Sequence, residues 1–152
     1  MPSDRNLDHL YPAFREKVAL VLDDLAKYAA VHMQGYEWRV VEGFRTASYQ
    51  KSLYAQGRTR KGPIVTMRDG YKRKSNHQSS LAVDIVPFHG HDFDWDGKSE
   101  WWDYLAHCAR KQGLKAGRDW TSFRDNPHIE WPEDDHETYR LASLWQKENG
   151  LA

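Results

Sequence analysis

The sequence predicts one α+β domain in which helices flank a small antiparallel or mixed sheet. The chain has 152 residues, 39% of them hydrophobic and 29% charged, which fits one globular domain with one core. Segments with apolar residues at helical spacing occur together with short runs of aromatic and β-branched residues. Because these strands and helices do not alternate with the regularity of βαβ units, we expect antiparallel or mixed pairing.

The first predicted elements are a long helix, a strand and a short helix. The long helix begins near Pro12, which suits a first helical turn, and ends at Gly35. Its core face consists of apolar residues three and four positions apart: Phe14, Val18, Leu22, Leu25 and Ala29. Residues 37–44 form the strand, and Thr46 caps a short helix that ends at Gly57.

The rest of the chain is predicted to contain two further strands and two further helices. In order, the predictions are an extended piece at 62–66, a loop at 68–75, a strand at 81–88, a helix at 99–112, a strand at 128–131 and a helix at 135–148. The strand at 81–88 is strongly apolar but carries Asp84 in its middle. Because an unpartnered buried polar group costs several kcal/mol, about 2–7 even when it is neutral, Asp84 requires an explanation.

Composition excludes several classes of protein. No apolar run approaches the roughly 18 residues of a membrane-spanning helix, so we expect no stable membrane insertion. Residues 1–8 carry acids where a signal peptide has a basic stretch, so we expect synthesis in the cytoplasm. Cys108 is the only cysteine, which excludes an internal disulfide and a cysteine-rich zinc finger. Any metal must therefore bind histidines and carboxylates.

The charge is balanced overall but unevenly distributed. The formal net charge is zero, yet residues 1–76 hold 14 basic and 8 acidic side chains and residues 77–152 hold the reverse. Seven basic residues lie between Arg58 and Lys74. This stretch is either a solvated loop or a surface for a polyanion. A nucleic-acid-binding role would rest on it alone, and its mark would be strong salt-sensitive binding to DNA, so we expect no nucleic-acid partner.

Two histidines join Asp84 as candidate metal ligands. His77 precedes Asp84 by seven residues across a tight loop, and His128 follows Pro127 at the start of an apolar strand. Two histidines and one aspartate make the three-ligand set that zinc takes in catalytic sites, where the fourth position holds water. The alternative for each histidine is a hydrogen-bonded core residue without a metal.

These residues form part of a longer pattern. It comprises Ser75, His77, Ser80, Ala82 and Asp84, followed by Asp125 and His128. The pattern resembles the signature S-x-H-x-x-G-x-A-x-D and later [DE]-x-x-H of the VanY-like M15 peptidases, the family of D-Ala-D-Ala carboxypeptidases and L-alanyl-D-glutamate peptidases. Ser80 stands where the family usually has glycine, a difference that concerns the backbone of the loop.

The resemblance covers roughly residues 38 to 131. Within the family, this region is especially similar to the branch that contains phage endolysins. Residues 42–59 look like the family's strand, Arg-Thr, helix and Tyr-x-Gln-Gly-Arg-Thr block, and residues 117–128 match its Gly-x-Asp-Trp and Asp-x-Pro-His ending. The resemblance implies a D-Ala-D-Ala carboxypeptidase-like fold with a zinc cleft. We expect residues 1–152 to form a single catalytic domain without a separate wall-binding domain.

The resemblance implies roles for individual residues. The zinc ligands would be His77, Asp84 and His128. Asp125 would be the general base that takes a proton from the metal-bound water and passes it to the departing amine. Arg45 would stabilise the developing oxyanion, the alternative being a surface ion pair. Substrate contact or support of the ligands is expected for Ser75, Gln50 and Trp120.

The family likeness also implies an activity and a partner. Members that act on D-Ala-D-Ala tend to carry Glu at the position of Asp125, whereas the L-alanyl-D-glutamate branch uses Asp. We therefore expect a monomeric zinc peptidase that cleaves L-alanyl-D-glutamate bonds of bacterial peptidoglycan and reaches the wall after release from the cytoplasm through a holin pore. The alternatives are a D-alanyl-D-alanine carboxypeptidase or dipeptidase, and a non-catalytic wall-binding module of the same fold.

A second metal-like pattern lies in an acidic loop. Asp92, Asp94 and Asp96 precede Gly97, and Asp103 occupies the twelfth position, where the calcium-loop template has Glu. A calcium ion here would be structural or regulatory. The alternative is a polar loop whose acids lie near the N-terminus of the next helix.

Overall fold

The computed structural model describes residues 3–151. Residues 1, 2 and 152 of the predicted domain therefore lie outside it, and the first two of these belong to the N-terminal segment compared with a signal peptide. Within residues 3–151 the chain forms four α-helices: α1 (Pro12–His32), α2 (Ala47–Ala55), α3 (Ser99–Lys111) and α4 (His136–Glu148). The strands of this part are β1 (Glu37–Glu42), β2 (Ala82–His89), β3 (Asp92–Phe93), β4 (Lys115–Ala116) and β5 (His128–Glu130). Short 3-10 helices lie at Leu7–His9, Asn76–Ser79 and Gly117–Asp119.

The sheet is antiparallel at every pairing between the described strands, and β2 lies at its centre. The strand order is β1-β2-β5-β4, with β3 also paired to β2. One edge of β2 pairs with β1, and the other edge pairs first with β5 and then with β3. A register shift in β1 between Val40 and Glu42 brings Glu42 opposite Asp84. The pairing therefore gathers polar side chains at the start of β2.

The core lies between α1, α3 and the sheet. Helix α1 packs against both β1 and α3, and its buried face repeats at helical spacing. The buried residues of α1 are Phe14, Val18, Val21, Leu25 and Ala29. Helix α3 buries Trp102 and Leu105, and the middle of β2 buries Ile85 and Val86. This apolar layer fixes the sheet, while the polar residues of β2 lie at its end.

The structure confirms the α+β class, and the sheet is of the antiparallel type. The predicted helices and main strands are present within a few residues of their expected bounds. The predicted extended piece at 62–66 is not part of any described strand. The side chain of Gln56 holds this loop by donating to the carbonyl oxygen of Pro63 at 3.0 Å. Residues 3–151 contain no helix that is both long and apolar enough to cross a bilayer.

Candidate metal centre and its surroundings

Two histidines and an aspartate meet at one end of β2. Asp84 lies on β2, His128 begins β5 directly opposite it, and His77 lies in the 3-10 helix before β2. One candidate ligand atom from each residue lies within 4.8 Å of the others. Among residues 3–151 this is the only such group of three or more His, Cys, Asp or Glu side chains. The structure thus brings together the three residues that the sequence indicated as metal ligands.

Local backbone structure orients His77. The hydroxyl of Ser75 accepts a hydrogen bond from the amide of His77 at 3.3 Å, and the Gln78 side chain accepts one from the amide of Ser75 at 2.9 Å. Nδ1 of His77 lies 2.8 Å from the carbonyl oxygen of Gly43. Because a carbonyl oxygen only accepts, Nδ1 carries the proton and Nε2 keeps its lone pair. This lone-pair atom lies 3.6 Å from Oδ2 of Asp84.

Sheet pairing and a buried glutamate orient His128. Its Nδ1 lies 3.2 Å from Oδ1 of Asp84 on the neighbouring strand. Its Nε2 lies 2.6 Å from Oε1 of Glu130, which is two residues further along β5 and so on the same face. With Nε2 donating to Glu130, Nδ1 is the nitrogen that can offer a lone pair beside Asp84.

This donor set fits a zinc ion. The rings of His77 and His128 lie 5.1 Å apart at 69°, and one nitrogen of each lies within 3.6 Å of a carboxylate oxygen of Asp84. Two imidazole nitrogens and a carboxylate oxygen suit zinc and leave one tetrahedral position for water or substrate. Calcium and magnesium prefer sites made of oxygen atoms alone, so they suit this donor set less well.

Burial and neighbouring charges shift the pKa values of all three candidate ligands. Burial, followed by the positive charge of Arg45, lowers the pKa of His77 to about 4. Burial would raise the pKa of Asp84, but the two histidines hold that pKa well below its ordinary value. Burial would lower the pKa of His128, but hydrogen bonds to Asp84 and Glu130 raise it to about 10. The raised pKa means that a metal binding at Nδ1 of His128 would compete with a proton there.

A buried arginine lies beside the cluster. Nη2 of Arg45 is 3.8 Å from Oδ2 of Asp84, while Nε donates to Glu42 at 2.8 Å and Nη1 donates to Gln50 at 2.8 Å. Only 11% of the Arg45 side chain is exposed, so the ion pair that it forms with Glu42 does not lie at the surface. Gln50 is fully buried and also donates to the carbonyl oxygen of Arg68 at 2.8 Å. Arg45 is thus clamped on two sides with one nitrogen left toward the cluster.

Asp125 lies on the solvent side of His128. Its Oδ2 is 3.9 Å from Nδ1 of His128, and 47% of its side chain is exposed. Its amide donates to the carbonyl oxygen of Gly117 at 3.1 Å, and its carbonyl oxygen accepts from the amide of His128 at 3.2 Å. Partial removal from water, followed by repulsion from Asp84, raises the pKa of Asp125 to about 6. A basic carboxylate next to the ligands suits a general base.

Three further residues, one aromatic and two polar, complete the surroundings. The ring of Trp120 lies 5.1 Å from that of His128, so Trp120 forms part of the wall of the cluster. The sequence analysis does not indicate Glu130 or Asn76. In the structure the Nδ2 amide of Asn76 donates to Glu130 at 2.7 Å. The signal for Glu130 was its position two residues after a candidate ligand on an apolar strand.

The structure does not support the calcium loop. Asp92, Asp94, Asp96 and Asp103 do not form a metal-binding group among the residues that the structure describes. Asp94 accepts a hydrogen bond from the amide of Asp96 at 3.1 Å, which makes it a local turn residue. Asp103 is bound instead by Arg118, whose Nε lies 3.0 Å from its carboxylate. The strand pairing of Asp92 with His89 further separates the loop from a helical calcium-binding geometry.

The chain is similar to known peptidases in the region that carries this cluster. Residues 69–131 match the model of a family described as D-alanyl-D-alanine carboxypeptidase. Over 139 residues the chain is 34% identical to the peptidoglycan L-alanyl-D-glutamate endopeptidase CwlK of Bacillus subtilis (strain 168). The aligned region covers 86% of this chain and 75% of that protein. The chain belongs to the M15 peptidase family. It is therefore an enzyme of the metallopeptidase class, as the sequence predicted.

Solved structures share the fold of this M15 peptidase. The L-Ala D-Glu endopeptidase ChiX of Serratia marcescens superposes with a TM-score of 0.60 at 20% identity, over 88% of this chain and 89% of that one. DacB from Streptococcus pneumoniae D39 superposes with a TM-score of 0.56 at 15% identity, over 95% of this chain and 80% of that one. At these identities the likeness concerns the fold, and it agrees with the predicted peptidase architecture.

Proposed function

We propose that this M15 peptidase is a zinc-dependent enzyme that hydrolyses the L-alanyl-D-glutamate bond of peptidoglycan stem peptides. The observation that carries the proposal is the convergence of His77, Asp84 and His128 with Asp125 beside them. The named activity of CwlK, at 34% identity, supports the choice of bond. Asp at position 125 supports the same choice, because it resembles the L-alanyl-D-glutamate branch of the family.

Each group near the cluster has a role in this proposal. Zinc, when bound by His77, Asp84 and His128, supplies a Lewis acid that acidifies water and polarises a carbonyl group. Asp125 accepts the proton of the attacking water at its carboxylate and later gives it to the departing amine. Nη2 of Arg45 supplies a fixed positive charge for the oxygen of the scissile carbonyl.

The surroundings restrict how these groups move. Two hydrogen bonds from Arg45, to Glu42 and Gln50, hold its guanidinium in place before substrate arrives. Such preorganised charge is more effective than charge that must reorient during the reaction. A wall-binding module without catalysis would have no need of a buried, doubly anchored arginine beside an exposed carboxylate.

The test combines elemental analysis with digestion of purified peptidoglycan. We expect one zinc per chain and new N-terminal D-Glu in the products, identified by mass spectrometry. Asp125→Asn should retain zinc and fold normally but lose about 100-fold or more in rate, because a general base contributes about 10²–10⁴. His128→Ala should lose zinc. The matched control is Asp134→Asn, an exposed aspartate on the loop before α4, which should keep full activity.

The other outcomes separate the alternatives. Release of D-Ala alone would identify a D-alanyl-D-alanine carboxypeptidase or dipeptidase. Zinc without cleavage of any stem peptide would identify a binding module, and the absence of metal would contradict the zinc proposal. Synthesis in the cytoplasm, release through a holin pore and a monomeric state remain predictions of the sequence.

A further inference from the structure

A chain of polar contacts extends from Nε2 of His128, buried at Glu130 and Asn76 and partly exposed at Glu133 and Arg68. Oε1 of Glu130 lies 2.6 Å from Nε2 of His128, and Oε2 of Glu130 accepts from Nδ2 of Asn76 at 2.7 Å. The same Nδ2 donates to Oε1 of Glu133 at 2.7 Å. Oε1 of Glu133 also accepts from Nη2 of Arg68 at 2.7 Å. We call these four residues, Arg68, Glu133, Asn76 and Glu130, the relay.

The relay satisfies groups that would otherwise be costly to bury. Glu130 is only 6% exposed, so its carboxylate requires partners on both oxygens. Asn76 has one amide nitrogen with two hydrogens, and the two carboxylates of Glu130 and Glu133 use both of them. The amide of Asn76 lies between the carboxylates of Glu130 and Glu133, and the cation of Arg68 contacts Glu133. Both contacts offset the repulsion between the two negative charges.

The relay also connects separate parts of the chain. Asn76 immediately precedes the ligand His77, and Glu130 lies two residues after the ligand His128. Arg68 belongs to the basic loop between α2 and the 3-10 helix Asn76–Ser79, where its Nη1 also donates to the carbonyl oxygen of Lys74 at 2.6 Å. A continuous set of hydrogen bonds therefore joins the basic loop to a candidate metal ligand.

We propose that Glu130 is a positioning residue for the metal, and that Arg68, Glu133 and Asn76 hold it in the orientation that makes His128 a strong ligand. The inference rests on the zinc site proposed above. A carboxylate that accepts from Nε2–H fixes the ring's tautomer, turns Nδ1 toward Asp84 and makes the ring more basic toward a metal. The relay acts on the metal only through Glu130 and His128, and its effect is on metal affinity.

The test measures zinc affinity against a competing chromophoric chelator, with the unfolding temperature of the metal-free protein as a check on folding. Glu130→Gln keeps the size and a neutral hydrogen-bond acceptor but removes the charge, and we expect zinc affinity to fall about 10–100-fold. Arg68→Met and Glu133→Gln lie at the partly exposed end of the relay, where we expect a loss of about two- to fivefold. The cobalt-loaded protein should show a changed d–d absorption spectrum in Glu130→Gln.

A double-mutant cycle separates transmission through the relay from a general loss of structure. In the Glu130→Gln background, Arg68→Met should have no further effect on zinc affinity, because the connection to His128 is already broken. The matched control is the exposed ion pair of Glu137 and Arg140 on α4, at 2.6 Å. Glu137→Gln and Arg140→Met should leave zinc affinity unchanged.

The inference is overturned by unchanged zinc affinity in a folded Glu130→Gln protein, or by Arg68→Met having the same effect in both backgrounds. Because the readout is metal affinity, it does not depend on which bond is cleaved. A wild-type protein that binds zinc but cuts no peptidoglycan would reject the proposed activity while leaving the relay intact. A loss of affinity confined to the relay variants supports the inference whatever the substrate.

Discussion

Ser80 has a left-handed backbone conformation, with φ of 60° and ψ of 29°, in the turn between the 3-10 helix Asn76–Ser79 and β2. Left-handed geometry is strained for residues other than glycine, by roughly 1–2 kcal/mol. The hydroxyl of Ser80 offsets part of this cost, because it is buried and accepts from Nε2 of Gln146 at 2.9 Å. This explains why a serine can occupy the position of the family's glycine.

Substitution at Ser80 separates these two effects. Ser80→Ala keeps the strain and loses the hydrogen bond, so we expect it to lower the free energy of unfolding by about 1–2 kcal/mol. Ser80→Gly loses the same bond but relieves the strain, so it should be more stable than the alanine variant by about 1 kcal/mol. Urea unfolding of the three proteins gives the order, and an alanine variant as stable as the glycine variant would contradict this explanation.

Individual residues differ in how well the sequence revealed them. His77, Asp84 and His128 were recognisable because a polar residue on an apolar strand and a family signature drew attention to them. Asn76 was hidden, because its role depends on contacts with residues 54 and 57 positions away in the chain. Such contacts are set by tertiary packing and have no local periodicity.

Gly117 shows a requirement at the scale of an element, the 3-10 helix Gly117–Asp119. A Cβ added at this position would overlap the carbonyl oxygen of Asp125 and lie 3.0 Å from the Asp125 Cβ. Gly117→Ala should therefore displace the segment that carries Asp125, lowering stability by about 1–3 kcal/mol and reducing the hydrolysis rate. We expect zinc to be retained, because the carbonyl oxygen of Gly117 accepts from the amides of Trp120 and Asp125, neither of which is a candidate ligand. Normal activity at full stability would show that the segment shifts without consequence.

Helix α2 has a corresponding role on the other side of the cluster. Gln50 donates to Thr66 and to the carbonyl oxygen of Arg68, and it accepts from Arg45, so it joins the helix, the basic loop and the arginine. Gln50→Met preserves volume but removes all three bonds. We expect a loss of about 1–3 kcal/mol in stability, since buried partners remain unpaired, together with a lower kcat. Gln56→Met, at the half-buried residue that follows α2, is the matched control and should retain kcat.

Elements were predictable where periodicity or capping was strong. Helix α1 follows its apolar spacing, and α2 begins after Thr46, whose hydroxyl accepts from the amide of Tyr49 at 3.1 Å. Strands β3 and β4 escaped prediction because each has two residues, too few to show an alternation. The basic stretch from Arg58 to Lys74 is partly structural. Arg58 donates to two backbone carbonyl oxygens and Arg60 to one, so these two side chains help to hold the loop together.

At the scale of the whole molecule, the candidate ligands join segments that are far apart in the chain. His77 comes from the 3-10 helix before β2, Asp84 from β2 itself and His128 from β5. Sheet pairing and the 3-10 helix place these side chains within 4.8 Å of one another, with Nδ1 of His128 3.2 Å from Asp84 and Nε2 2.6 Å from Glu130. A metal that binds this arrangement stabilises the native state and has a much weaker site in the unfolded chain.

Removal of the metal should therefore lower thermal stability. Zinc at 100 times its dissociation constant stabilises the native state by about 2.7 kcal/mol. For a domain of this size each kcal/mol shifts Tm by about 2–4 °C, so chelation should lower Tm by about 5–10 °C and zinc should restore it. Calorimetry of the chelated and reloaded protein measures the shift, and His128→Ala should not respond to zinc because it lacks one ligand. A wild-type protein with one bound zinc and the same Tm after chelation would show that the ion contributes nothing to the fold, and its role would then be limited to the reaction.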